Sequence, residues 1–172
     1  MRHHLLLVRH AKSAWNEPSI PDHDRELAPR GVGALPLLRD HLDRAEQRPD
    51  LVMCSSSRRT IDTLAGIRPI VSERALVRVE PRIYGASVHT LLELLRDLED
   101  DIACAMLIGH NPGMQDLALL LAGAGESDTH AQLLTKFPTA AAVTLSFDRP
   151  WSQLGAGRAT IDDLFMPRPP RP

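Results

Sequence analysis

The sequence predicts a three-layer α/β/α sandwich around a mostly parallel sheet. Two observations carry that reading. Short, continuous apolar runs alternate with runs of helical period, and alternation of this kind builds parallel sheets covered by helices on both faces. The apolar runs are also unbroken rather than alternating, as in Leu5-Leu6-Leu7-Val8, which is the pattern of a strand buried on both sides.

Leu5 to Val8 forms the first strand of this reading, and the polar stretch 12–30, rich in Pro and Asp, is a loop. Leu35, Leu38 and Leu42 fall at helical spacing, with Pro36 tolerable only in a first turn. Leu51 to Cys54 is the second strand, Arg59 to Ile67 a short helix stopped before Pro69, and Ala75 to Val79 the third strand. Val88, Leu91, Leu92, Leu95 and Leu98 mark an amphipathic helix. Ile102 to Ile108 is the fourth strand, followed by a helix that opens at Pro112 and runs to Leu121. Ala122 to Gln132 reads as a loop and the one candidate lid; Ala141–Phe147 and Ala159–Phe165 are closing strands. Residues 1–166 form one domain in this reading, and the PRPPRP tail at 167–172 is disordered or extended.

A chain of 172 residues can bury a sizeable core. A net charge of -2 gives no global reason to expect nucleic acid as a partner. The apolar run after the basic start is shorter than a signal-peptide core, and none approaches the length of a membrane span, so a cytoplasmic address with no membrane partner is expected. Cys54 and Cys104 sit in apolar runs without metal-type spacing and read as buried thiols of a reducing compartment.

Three strand ends carry unusual polar residues. The first strand runs into Arg9-His10, the second into Ser55-Ser56-Ser57-Arg58-Arg59, and the fourth into Gly109-His110-Asn111-Pro112-Gly113. Matching ends of parallel strands lie on one edge of a sheet, so these groups can converge on one pocket. Guanidinium groups hold phosphate oxygens bidentately and remain charged. A neutral imidazole can attack phosphorus and become a phosphohistidine. A helix opening at Pro112 adds backbone N–H groups suited to an anion.

These segments resemble the motifs of the histidine phosphatase superfamily. Leu7 to Asn16 is similar to its RHG signature, with Ala11 where Gly is commoner. Ser55 to Thr63 is similar to its second motif, an Arg followed four residues later by Thr, and that spacing selects Arg59 over Arg58. Gly109 to Gly113 resembles the third. Within the superfamily the SixA-type branch is the nearest in character, through Arg9 to Ser13, Asp22 to Arg25, Arg30-Gly31, Ile83 to Ser87 and Phe137 to Ala140. The resemblance implies a phosphoglycerate mutase-like fold and a phosphatase with His10 as nucleophile. Arg9, Arg59 and His110 would bind the phosphoryl group. Asn16, which matches a phosphate-contacting position in mutase-like relatives, joins Ser13 and Asn111 as substrate-binding candidates. No metal and no cofactor are implied, and the partner is a phosphorylated substrate such as a histidine-phosphorylated protein. A monomer or weak dimer is expected.

One departure bears on chemistry. Mutases and many phosphomonoesterases of the superfamily carry an acid after the third strand, whereas Pro81 to Ala86 holds no carboxylate. A poor alkoxide leaving group needs protonation in the transition state; a P–N bond or a phosphoanhydride needs it less. Glu80, Asp22, His23 and Asp24 remain as possible proton donors. The principal function expected is therefore removal of phosphate from phosphohistidine in proteins. A small-molecule phosphomonoesterase or phosphoanhydride hydrolase is the alternative, and a non-catalytic phospho-ligand module a further one. A metal site at Asp22-His23-Asp24 lacks a second ligand cluster, and His3 and His4, adjacent on a strand, point to opposite faces.

Overall fold

A computed structural model describes residues 1–45, 48–123 and 127–167. The unbroken apolar runs form the sheet. Its strands are β1 (His3–Arg9), β2 (Leu51–Cys54), β3 (Leu76–Val79), β4 (Cys104–Gly109), β5 (Ala142–Phe147) and β6 (Thr160–Phe165), in the order β3-β2-β4-β1-β5-β6. The first four are parallel; β5 and β6 close the sheet antiparallel.

Alternate side chains of these strands feed two cores. Leu5, Leu7, Met53, Leu107 and Val143 meet α3 (Val88–Arg96), α4 (Gly113–Ala122) and α5 (Asp128–Thr135) on one face. Leu6, Val8, Val52, Met106 and Ile108 meet α1 (Pro29–Arg44) and α2 (Arg58–Ile67) on the other. Burial of both faces explains why the sequence shows runs and not alternation.

Register places the three motifs side by side. Arg9 pairs with Gly109 across β1 and β4, and Cys54 with Ile108 across β2 and β4. The ladder runs one step further: the His10 amide donates to Gly109 O and the Ser55 amide to Ile108 O. The polar residues that end these strands thus start from one line along the sheet edge.

Two expectations are corrected. Helix α1 begins at Pro29, so Pro36 lies in its interior and not its first turn. Pro36 is exposed, and the carbonyl it leaves unpaired is on a solvent-accessible face, which lowers the cost of the missing N–H. The stretch expected as a loop from Ala122 to Gln132 contains the start of α5, capped by Ser127, whose hydroxyl accepts from the His130 amide. Within the PRPPRP tail, only Pro167 is among the described residues.

Candidate active site

The site starts at the end of β1. His10 is buried at 8% exposure. Its Nδ1 lies 2.7 Å from Ala11 O, an atom that can only accept, so Nδ1 carries the proton. Nε2 then keeps a lone pair, and it accepts from Arg59 Nε at 3.3 Å. An imidazole held this way presents an unprotonated nitrogen without a separate base.

The spacing between Arg59 and Thr63 has a structural reason. Thr63 Oγ1 donates to Arg59 O one helical turn back and accepts from the Ala11 amide at 3.0 Å. One hydroxyl therefore ties the first turn of α2 to the residue after His10. Arg58, one position earlier, points outward to Asp62 and Glu26. A second tether is steric: a Cβ on Gly31 would fall against Lys12 O, so only glycine lets α1 lie this close to the His10 loop.

Arg59 is also held by Asp22. Its Nη1 donates to the Asp22 carbonyl and its Nη2 to Asp22 Oδ2 at 2.9 Å, while the Tyr84 hydroxyl donates to the same oxygen at 2.8 Å. His110 completes the cluster, its ring centroid 5.1 Å from that of His10. Arg59 Nη2 sits 3.5 Å from His110 Nδ1, and Ser55 Oγ is 2.7 Å from His110 Nε2. A guanidinium only donates, so Nδ1 accepts and Nε2–H donates to Ser55. A hydroxyl can reverse its role. If Ser55 O–H donates instead, His110 offers an Nδ1–H on the side of Arg59, where a phosphoryl oxygen held by that guanidinium would need one.

Arg9 is half-buried at the same strand end and donates to Phe137 O at 2.7 Å. Asn111 Nδ2 donates to the same carbonyl and to Gln115 Oε1. The structure thus brings His10, Arg59 and His110 into contact, with Arg9 on the adjoining wall. Asn111 is committed to protein partners through its amide nitrogen. Ser13 is buried, its backbone paired with Leu27 in an isolated bridge, and Asn16 is exposed in the following bend. Sequence reasoning gave no role to Ser55, Tyr84 or the Phe137 carbonyl, and it did not see Asp22 as the partner of Arg59. The metal alternative at 22–24 splits apart here, because Asp22 turns to Arg59 while Asp24 turns to His23.

Burial sets the electrostatics. It pulls His10 down from 6.5 to about 4, with Arg59 and Arg9 adding to the effect and the Ala11 hydrogen bond opposing it. Burial, then His10 and Arg59, pulls His110 down to about 3. Both rings are therefore neutral at neutral pH, beside guanidinium groups that are not. Asp22 is held below the ordinary carboxylate range by the Tyr84 hydroxyl first and Arg59 second.

Comparison with known proteins gives this arrangement a family. The family model of the histidine phosphatase superfamily, branch 1, matches residues 5–83. The chain belongs to the histidine phosphatase superfamily. An uncharacterised protein of Mycobacterium tuberculosis is 33% identical over 165 residues, covering 94% of this chain and 100% of its own. A solved structure from Nakamurella multipartitia, assigned as a phosphohistidine phosphatase SixA, superposes with a TM-score of 0.85 at 26% identity, covering 97% of each chain. One from Agrobacterium tumefaciens with the same assignment gives 0.81 at 27%, covering 96% of this chain and 98% of that one.

In this histidine phosphatase, Arg59→Ala should lower kcat by about 10²–10³-fold, the range for losing one preorganised donor to developing charge. Arg58→Ala should change kcat less than about 2-fold, since an exposed ion pair contributes little. Steady-state assays of the two variants on one substrate decide it, and equal losses would undo the assignment to Arg59.

The same shifts fix a pH dependence of stability. The folded-state values of His10 and His110 lie below the unfolded value of about 6.5. The unfolded chain therefore binds more protons below that value, and stability falls as the pH drops from about 6.5 to about 4. Asp22 and Glu80, held low by Tyr84 and Arg82 respectively, add a loss in the same direction at more acid pH. Urea midpoints across this range should decline steadily; a rise on acidification would mean that the histidines are charged in the native state.

Proposed function

We propose that this histidine phosphatase is a SixA-type phosphohistidine phosphatase, working through a phosphohistidine on His10. The observation that carries this reading is the His10 ring itself, proton fixed on Nδ1 by Ala11 O and lone pair on Nε2 aimed into the Arg59–His110 cluster. Arg59 and Arg9 would take the negative oxygens, and His110 would donate as Ser55 reverses its hydroxyl. Binding replaces the weak N–H contact at Nε2 by phosphorus, so the nucleophile is released by the substrate it attacks.

The carboxylates near the pocket support a labile phosphoryl donor. Glu80 is paired with Arg82 through both oxygens, and Asp22 with Arg59 and Tyr84. Both are held ionised and are poor acids for an alkoxide leaving group. The SixA assignment of the two superposing proteins favours the same class of substrate. A panel of phosphohistidine peptide, phosphoanhydrides and sugar phosphates tests the reading. Highest kcat/KM on phosphohistidine is expected, and a preferred sugar phosphate would replace it with the small-molecule phosphomonoesterase alternative.

A further inference from the structure

Attack by His10 Nε2 in line with the leaving atom sends the leaving group away from His10, toward the exposed side of the pocket. That side is bordered by the 3-10 turn Asp22–Asp24 and by Tyr84. Departure of an imidazole from phosphorus is easy only if the ring leaves neutral, which needs a proton on its other nitrogen, the one remote from phosphorus. The remote nitrogen lies one ring-width farther out than an ester oxygen would. A donor to it belongs on the rim and not on the pocket floor.

Most titratable groups near the pocket are unsuited. Asp22 is locked by Arg59 and Tyr84, and Glu80 by Arg82. The Tyr84 proton is committed to Asp22, which pushes the phenol up from its ordinary value. His110 is neutral and tied to Ser55. His23 remains. Its Nδ1 lies 3.1 Å from Asp24 Oδ1, an atom that only accepts, so that nitrogen carries a proton. Its Nε2 lies 2.9 Å from Ser56 Oγ, the neighbour of the serine that holds His110. The ring packs edge-on to Tyr84 at 4.9 Å, and Tyr84 packs edge-on to His110 at 5.4 Å. Its side chain is 40% exposed, which fits the rim.

We propose that His23 donates the proton that the leaving imidazole of a phosphohistidine substrate takes up on its remote nitrogen. The inference rests on the phosphohistidine reading above and extends it. In the first step the His10 Nε2–P bond forms and the substrate P–N bond breaks, its electron pair staying on the leaving nitrogen. The Nε2 proton of His23 passes to the remote nitrogen, the substrate ring replacing Ser56 as partner, and His23 becomes neutral. In the second step water adds hydroxide to phosphorus, the P–Nε2 bond breaks back to His10, and the water's other proton passes to solvent, from which the exposed His23 ring regains the proton it gave up. The charged or titratable groups around His23 are Asp22 and Asp24 on its own turn, Arg25 beyond it near Asp22, Arg59 from α2, and Tyr84.

The test compares phosphoimidazole with phosphoimidazole methylated on its remote nitrogen, whose fixed positive charge removes the need for that proton. His23→Gln should lower kcat/KM on phosphoimidazole by about 10²-fold or more, and on the methylated compound by less than about 3-fold. The loss on phosphoimidazole should widen as the pH rises, because fewer substrate rings then arrive already protonated. Turnover of the methylated compound also shows that the variant is folded. Equal losses on both compounds, or none on either, overturn the role of His23 while leaving the phosphohistidine reading intact. A wild-type enzyme that prefers a sugar phosphate to phosphoimidazole overturns that reading, and this proposal with it.

Discussion

His10→Ala should abolish turnover, by about 10⁴-fold or more, because the covalent step then has no nucleophile and the remaining cations can only bind. No phosphorylated enzyme should be trapped on rapid acid-free quenching. The fold should survive. His10 is buried but lies at a strand end against the pocket, and its two hydrogen bonds go to Ala11 O and Arg59 Nε, both at the pocket wall where water can replace it. Losing them should cost about 1 kcal/mol, a Tm shift of roughly 2–4 °C for a chain of this size. A phosphoenzyme that still forms in the variant would place the nucleophile elsewhere. Retained binding of inorganic phosphate with lost turnover is the expected signature, since Arg9, Arg59 and His110 remain.

The strands and the positions of the motifs were legible because both depend on local signals. A strand buried on both faces must be apolar throughout, and the polar residues that interrupt such runs, Arg9-His10, Ser55 and His110, stand out against them. The start of α1 was not legible, because Ala28 offers no capping side chain and Pro29 was the one local sign. Helix α5 was missed because, apart from Leu133, its residues are not fully buried, which leaves little periodicity; Ser127 followed by Asp128 was the available cue. The three consecutive serines show a harder limit. Ser55 holds His110, Ser56 meets His23, and Ser57 meets the Thr60 hydroxyl. Identical residues acquire different roles from where the chain turns, which composition does not encode. The Asp22–Arg59 pair joins residues 37 apart, and no local pattern announces it.

Phosphoramidates should be hydrolysed with higher kcat/KM than alkyl phosphate monoesters. The ground in the sequence is the absence of a carboxylate in Pro81 to Ala86. The structure adds that the two carboxyl groups bordering that stretch and the pocket are held ionised, Glu80 by Arg82 and Asp22 by Tyr84 and Arg59. A carboxyl held below its ordinary range is a weak donor at neutral pH. General acid catalysis is worth about 10²–10⁴-fold, so its absence at the ester oxygen should penalise alkyl esters by roughly that factor. Aryl esters should suffer far less, because a stable phenolate departs without a proton. A plot of log kcat/KM against leaving-group pKa for a series of monoesters should therefore fall steeply, with phosphoimidazole lying above the line drawn by the esters. His23 does not change that expectation, since a donor on the rim reaches the remote nitrogen of an imidazole and not an oxygen bonded to phosphorus. A shallow plot would mean that a proton reaches the ester oxygen after all. Asp22→Asn and Glu80→Gln would then be the first variants to compare, the one whose plot steepens naming the acid.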